Sequence, residues 1–234
     1  MITKFKIFEN KGNKSIIDYT YLKDRATVDE IKKVCEDAED NGVYAIVLKP
    51  ENIGTAKAFL EETDVKVISV IDFPKGTAKA NVKSNAVMDS ITDGADEVEV
   101  VFNYSKLKEL IILKDDDYDT LYNELSDEIN NIARIAHKNG VVLKVIIEIE
   151  ELNFEQIKIA SEICENSGVD FIETSTGFSK KTPNWNEKIE KVKYMRRILP
   201  NYIKIKVTGG IRTQAQIDEL LQIGVDRIGT SVII

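Results

Sequence analysis

Eight short runs rich in β-branched residues alternate with longer amphipathic segments along almost the whole chain. The predicted strands are residues 15–18, 44–48, 65–72, 97–102, 141–148, 171–175, 203–207 and 227–229. The predicted helices are residues 27–41, 53–62, 78–93, 117–138, 153–167, 184–199 and 213–223. Strands that alternate with helices are typical of a parallel sheet covered by helices. Eight strands in 234 residues favour one domain, residues 1–234, folded as a single (β/α)₈ barrel.

A doubly wound open sheet is the alternative to the barrel. The nucleotide-binding versions of that fold carry a glycine-rich motif after the first strand, and none is present here. The sequence begins only a few residues before the first predicted strand and ends at Ile234, just after the last one. We therefore expect a barrel that is short at the N-terminus and lacks most of the last helix and tail.

Composition excludes several classes of protein. The formal net charge is −8, and no basic cluster stands clear of acidic neighbours, so no nucleic-acid partner is expected. No apolar run reaches the roughly 20 residues of a membrane span, so no membrane contact is expected either. Cys35 and Cys164 are the only cysteines, which favours a reducing, cytoplasmic location. With His137 as the only histidine, we expect no metal site and no cofactor.

Charged residues interrupt the predicted strands, although both faces of a parallel sheet strand are usually apolar. These residues are Glu97, Glu99, Lys144, Glu148, Glu173, Lys204 and Lys206. Side chains alternate along a strand, so Glu97 and Glu99 share one face, and Lys144 shares a face with Glu148. A buried charge must be paired or reach solvent at a site. The pattern predicts a cluster of carboxylates and ammonium groups in the upper barrel, where barrel enzymes place their chemistry.

Small residues follow the last three predicted strands. They are Thr176 and Gly177, then Gly209 and Gly210, and finally Gly229 and Ser231. Glycines expose backbone N–H groups, which together with hydroxyl groups can hold an anion, and loops at the end of such a barrel are a recurring phosphate site. These residues predict that the substrate is a phosphorylated small molecule.

The same segments resemble the 2-deoxyribose-5-phosphate aldolase family, which are class I, Schiff-base aldolases on a TIM barrel. The matching stretches are residues 17–23, 70–76, 94–101, 143–148, 170–178 and 206–213. The resemblance implies cleavage of 2-deoxyribose 5-phosphate to glyceraldehyde 3-phosphate and acetaldehyde. It also implies a phosphorylated sugar as partner and a homodimer as the expected assembly.

The resemblance assigns roles to the charged residues. Lys206 matches the family's second lysine, which lowers the pKa of the nucleophile, and Glu99 matches the aspartate that moves protons. The family's Schiff-base lysine lies in a Phe-Ile-Lys-Thr-Ser-Thr-Gly motif, and Glu173 occupies that position here. A carboxylate cannot form an imine. Asp18, in the first matching stretch, and Lys144 complete the candidate catalytic residues.

Three interpretations follow from Glu173. The chain is an aldolase or lyase in which Lys206 or Lys144 supplies the amine and Glu173 accepts its proton. Alternatively, it binds a phosphorylated sugar without aldol chemistry, or uses acid–base catalysis by Glu99, Glu148 and Glu173. In the third interpretation it is a catalytically inactive variant. The sequence leaves all three open.

Overall fold

The structure, a computed structural model, describes residues 16–181 and 184–232. Its eight strands are β1 (Ile17–Thr20), β2 (Ala45–Leu48), β3 (Lys66–Ile71), β4 (Glu97–Val101), β5 (Val142–Ile146), β6 (Phe171–Glu173), β7 (Lys204–Val207) and β8 (Arg227–Thr230). Each strand pairs in parallel with the next, and β8 pairs in parallel with β1. The sheet is therefore a closed barrel, which confirms the predicted (β/α)₈ fold.

Eight α-helices surround the barrel in the part of the chain that the structure describes. They are α1 (Val28–Asp40), α2 (Ile53–Phe59), α3 (Ala80–Thr92), α4 (Tyr104–Leu110), α5 (Asp115–Lys138), α6 (Phe154–Asn166), α7 (Trp185–Ile198) and α8 (Gln214–Ile223). Helix α4, between β4 and α5, is absent from the sequence prediction. Within the described residues no helix follows β8, and no helix is long and apolar enough to cross a membrane. The expectations about the chain ends fall largely on residues 1–15 and 233–234, outside the described part.

Local sequence explains where several helices begin. Thr27 accepts a hydrogen bond from the backbone of Glu30, and the Glu30 side chain accepts one from the backbone of Thr27. Asn153 caps α6 in the same reciprocal way. Such capping boxes satisfy backbone N–H groups that a helix start leaves unpaired. They fix the points at which the helices begin to pack on the barrel.

The apolar core lies mainly between the outer face of the sheet and the helices. A second, smaller apolar cluster fills one side of the barrel interior, and it consists of Ala45, Val47, Ile68, Val70, Val101 and Ile146. These residues come from β2 to β5. The charged interior side chains come from β1 and from β4 to β8, so β4 and β5 contribute both apolar and charged residues to the barrel interior.

Strand β5 ends earlier than the sequence predicts. β5 ends at Ile146, and Glu148 has a left-handed backbone with φ 58°. The backbone N–H of Ile149 donates to the carbonyl of Thr174, which draws the chain across the end of the sheet. Glu148 therefore does not share an inward strand face with Lys144, and that prediction was wrong.

Gly76 provides a test of close packing at the barrel mouth. Its φ is +66°, and an added Cβ would lie 2.3 Å from the Phe102 carbonyl oxygen. Gly42 has a similar φ of +60° with no atom within 4 Å of the added Cβ. Left-handed strain costs an alanine about 1–2 kcal/mol at either site. We expect Gly76→Ala to lower the free energy of unfolding by about 1–3 kcal/mol more than Gly42→Ala, because overpacking adds to the strain. Urea denaturation of both variants measures this difference, and equal losses would contradict it.

Candidate active site

Asp18 lies in the middle of a buried network of charges inside the barrel. Its carboxylate contacts the Lys144 Nζ at 2.8 Å, the Lys206 Nζ at 3.1 Å and the Arg227 Nη1 at 3.0 Å. Although burial alone would raise the pKa of Asp18, the three cations hold it well below its usual range. Asp18 therefore stays ionised and organises the cations around it.

Lys144 connects Asp18 to the carboxylates of β4. Its Nζ lies 2.7 Å from Glu97 Oε2 and 3.2 Å from Glu99 Oε1. Burial alone would lower the pKa of Lys144, but the surrounding carboxylates raise it. Lys144 is thus an ammonium ion that neutralises carboxylates on two strands.

Lys206 lies higher in the barrel, and its Nζ donates to Glu99 and lies 3.5 Å from Glu173 Oε2. Burial works against its charge, but Glu173, Glu99 and Asp18 raise the pKa of Lys206 above its ordinary value. A lysine must be neutral to attack a carbonyl group. In this arrangement Lys206 is held as the ammonium ion.

Glu173 differs from the other carboxyl groups of the network. Burial, and then the negative charge of Glu99, raise its pKa to about 8, although Lys206 and Lys144 oppose the shift. Glu173 is therefore mainly protonated at neutral pH. The network then contains three carboxylates, Asp18, Glu97 and Glu99, and three cations, Lys144, Lys206 and Arg227, so its charges balance.

The structure confirms the predicted cluster of carboxylates and ammonium groups and adds two residues that the sequence analysis missed. The Arg227 guanidinium lies 3.4 Å from the centre of the Tyr44 ring, and the Tyr44 hydroxyl donates to Glu97 over 3.2 Å. Tyr44 precedes β2 and offers no sequence signal for this contact. Lys204 is on the same face of β7 as Lys206, as predicted, but its Nζ lies over the Phe171 ring at 5.2 Å, at the exposed start of the strand.

A cavity of about 330 Å³ opens above the charge network at the carboxyl ends of the strands. Glu99 and Glu173 are the acidic residues of its lining. One wall is apolar and contains Leu22, Val47, Val70, Phe73 and Ile146. The other wall is formed by the loops after β6, β7 and β8. No lysine of the described residues lines the cavity, and Lys144 and Asp18 lie beneath it.

All six predicted anion-binding residues lie in the cavity lining: Thr176, Gly177, Gly209, Gly210, Gly229 and Ser231. Arg212, which the sequence analysis did not select, joins them. The backbone N–H groups of Gly177, Gly209 and Gly210 have no hydrogen-bond partner within residues 16–181 and 184–232. We call the loop segments that contain these six residues the anion cradle.

Gly229 has a packing reason for being glycine. An added Cβ there would lie 2.2 Å from Thr208 Cγ2 and 3.1 Å from Lys206 Cε. Its φ is not left-handed, so the requirement comes from close approach alone.

In the described residues no group of three or more histidine, cysteine or acidic side chains could hold a metal ion.

A barrel with buried carboxyls beneath an anion cradle is an architecture that phosphosugar enzymes use. Residues 15–230 match the model of the DeoC/LacD family aldolases, and the chain belongs to that family. The deoxyribose-phosphate aldolase of Thermococcus kodakarensis is 38% identical over 217 residues, covering 92% of this chain and 91% of that protein. The enzyme of the same name from Caldicellulosiruptor saccharolyticus is also 38% identical, covering 92% of each chain. The resemblance to deoxyribose-phosphate aldolases is confirmed.

Solved structures agree with the fold. The structure described as "QR15, an Aldolase" has a TM-score of 0.81 and 33% identity, covering 95% of this chain and 92% of its own. A deoxyribose phosphate aldolase from Aeropyrum pernix, described as having a unique tetrameric structure, has a TM-score of 0.79 and 28% identity. That match covers 93% of this chain and 86% of the neighbour.

The raised pKa of Glu173 has a consequence for stability. The pKa of Glu173 is about 8 in the folded protein, above the value of about 4.3 that is expected in the unfolded chain. The folded protein therefore keeps a proton that the unfolded chain releases. The contribution of Glu173 is complete below pH about 4.3 and is lost as pH rises through about 8. Glu173→Gln mimics the neutral acid. We therefore expect the free energy of unfolding of Glu173→Gln, relative to that of the wild type, to increase as pH rises from 5 to 9.

Urea denaturation at pH 5, 7 and 9 measures this gain. Glu39→Gln, at an exposed residue of α1, is the control and is expected to show a constant difference from wild type. A Glu173→Gln difference that does not change with pH would show that Glu173 is ionised throughout.

Proposed function

We propose that the protein is a lyase of the deoxyribose-phosphate aldolase type that uses carboxyl acid–base chemistry instead of an imine at position 173. One observation carries the proposal: the cavity lining joins an anion cradle to Glu99 and Glu173 and contains no lysine among the described residues. The first substrate to test is 2-deoxyribose 5-phosphate, a deoxyribose phosphate of the kind that the relatives' names give.

The cradle supports a phosphorylated substrate. The unpaired N–H groups of Gly177, Gly209 and Gly210 meet at one wall, and Arg212 adds a positive charge at the same wall. Backbone N–H groups and arginine are the usual partners of phosphate oxygens. A phosphate held there extends the rest of the sugar across the cavity, above Glu99 and Glu173.

The two carboxyls have complementary protonation states. Ionised Glu99 accepts the proton of the hydroxyl group on the carbon β to the carbonyl. The bond between the α and β carbons breaks, and its electron pair forms an enol as neutral Glu173 donates its proton to the carbonyl oxygen. The enol carbon then takes the proton from Glu99, and the enol hydroxyl group returns its proton to Glu173. A neutral carboxyl group beside a carboxylate is a common source of an acid and a base.

A second candidate function is imine formation at Lys206. Glu173 and Lys206 are paired neighbours on β6 and β7, and the Lys206 Nζ lies beneath the cavity. A proton transfer from Lys206 to a carboxylate would be required first. The three carboxyl neighbours that raise the pKa of Lys206 oppose this step.

Glu173→Gln is expected to lower kcat for cleavage of 2-deoxyribose 5-phosphate by about 10²–10⁴-fold, because the amide cannot act as a general acid. Acetaldehyde release in a coupled assay measures the loss. Borohydride added with the substrate should leave wild-type activity intact and add no mass to any lysine. Glu39→Gln serves as the matched control and should keep wild-type kcat.

The other outcomes distinguish the alternatives. A trapped adduct on Lys206 or Lys144 would replace this mechanism with imine chemistry. Substrate binding without acetaldehyde release would identify a phosphosugar-binding protein. Glu173→Lys restores the residue type of the family motif, and it should create a borohydride-trapped adduct at position 173.

We also propose that residues 1–234 form one domain and that the chain assembles as a homodimer in the cytoplasm. The tetrameric relative supports assembly with identical copies. Cys35 and Cys164 are buried and unpaired, which fits a reducing compartment. Light scattering after gel filtration should give twice the 26.4 kDa chain mass, and a monomer at micromolar concentration would contradict the assembly.

A further inference from the structure

A second cluster of ionisable groups lies behind the anion cradle, outside the barrel interior. It consists of Glu148, Glu150 and Lys188, and the proposed mechanism does not use it. All three residues are mostly buried, with Lys188 at 7% exposure and Glu148 at 1%. Buried charges in such a place must be satisfied by each other or by the loops that they contact.

Glu148 holds the loop that follows β6. Its carboxyl accepts the Thr176 hydroxyl, and the Thr176 backbone N–H lies 3.3 Å from Oε2. The Thr176 hydroxyl also accepts the backbone N–H of Phe178 over 3.1 Å. Both donors of Thr176 therefore bond to Glu148, whereas the N–H of Gly177 has no partner among the described residues.

Lys188 connects this loop to the loop after β7. Its Nζ lies 2.8 Å from Glu150 Oε1 and donates to Ser175 Oγ over 3.1 Å. It also donates to the carbonyls of Thr208 and Gly209, the latter over 2.7 Å. The Ser175 hydroxyl donates to the same Glu150 oxygen. One ammonium ion and one carboxylate thus hold both sides of the cradle.

The remaining oxygen of Glu150 shows where a proton is needed. Glu150 Oε2 is buried and has no hydrogen-bond partner among the described residues. Glu148 is the neighbouring carboxyl, but two ionised carboxylates cannot hydrogen-bond to each other. If Glu148 carries a proton, it can donate to Glu150 with one oxygen and accept from Thr176 with the other. Glu150 then has a partner for its second carboxyl oxygen.

We propose that Glu148 is a positioning residue of the anion cradle and that it acts as the neutral acid, donating its proton to Glu150 while it holds Thr176. Loss of that proton places two carboxylates beside one lysine, loosens the loop and adds a negative charge behind the anion site. Anion affinity is therefore coupled to the proton on Glu148. The inference rests on the proposed function only in taking the cradle as the phosphate site.

The titration behaviour of the pair agrees with this geometry. Burial, together with Glu150, raises the pKa of Glu148 to about 7, although Thr176 opposes the shift. Burial would raise the pKa of Glu150 too, but Lys188 and Ser175 lower it. The proton of the pair therefore resides on Glu148, and it is lost as pH rises through about 7.

Other charged groups face this cluster from neighbouring elements. They are Tyr104 of α4, Glu151 with its partner Lys108, and Lys191 with its partner Glu187. The pKa of Tyr104 is raised by burial, and those of Glu151 and Glu187 are lowered by hydrogen bonds to Ser179 and Lys191. These three groups therefore do not change their protonation state between pH 6 and 8.5. Glu173 does titrate in this range, but it lies at the base of the cavity.

Sulfate is the probe for this proposal, because it does not titrate between pH 6 and 8.5. Calorimetry should show that the Kd of sulfate for the wild-type protein rises by about fivefold or more over this range, as coupled sites commonly show. Glu148→Gln, whose amide can donate to Glu150 and accept from Thr176, should keep the low-pH affinity at every pH. Glu148→Ala should weaken binding throughout.

Two controls separate this effect from neighbouring titrations. Glu151→Gln removes an adjacent carboxylate that contacts Ser179 and Lys108, and it should keep the wild-type pH profile. For Glu173→Gln, the Kd of sulfate should still rise near pH 7, as it does for the wild type. A pH-dependent Kd in Glu148→Gln, or a flat wild-type profile, would overturn the proposal. Absence of sulfate binding at every pH would overturn the cradle itself, whereas sulfate binding without sugar cleavage would refute only the proposed function.

Discussion

The balance of charge inside the barrel is the constraint on which the site depends. Three cations, Lys144, Lys206 and Arg227, are buried together with four carboxyl groups. An unpaired charge in such a place costs several kcal/mol. The fourth carboxyl, that of Glu173, therefore keeps its proton, and the cations remain charged.

This balance sets the chemistry available to the cavity above it. Glu99 helps both to hold Lys206 as an ammonium ion and to keep Glu173 neutral, so the amine and the acid cannot be tuned independently. A neutral acid and an ionised carboxylate face the cavity, and the lysines remain below. The family fold is thus retained, while the reactive groups offered to a substrate are carboxyls.

A similar arrangement recurs behind the anion cradle, with different residues. Glu148, Glu150 and Lys188 again combine more carboxyls than cations, and one proton completes their hydrogen bonds. The two clusters are on different sides of the cavity, one at its base and one behind its polar wall. Both use burial to keep a carboxyl protonated near neutral pH, because a low dielectric disfavours the charged form.

The sequence by itself determined the barrel, the six cradle residues and the presence of buried charges, because strand–helix alternation and glycine-containing strand ends are local patterns. It could not determine the partners of those charges. Arg227 and Asp18 are 209 positions apart and meet only when β8 pairs with β1. The sequence predicts the helix that contains Lys188, but only the packing of that helix brings the Lys188 ammonium group to two loops. Protonation of Glu173 and Glu148 depends on burial and distance, which only the tertiary structure decides.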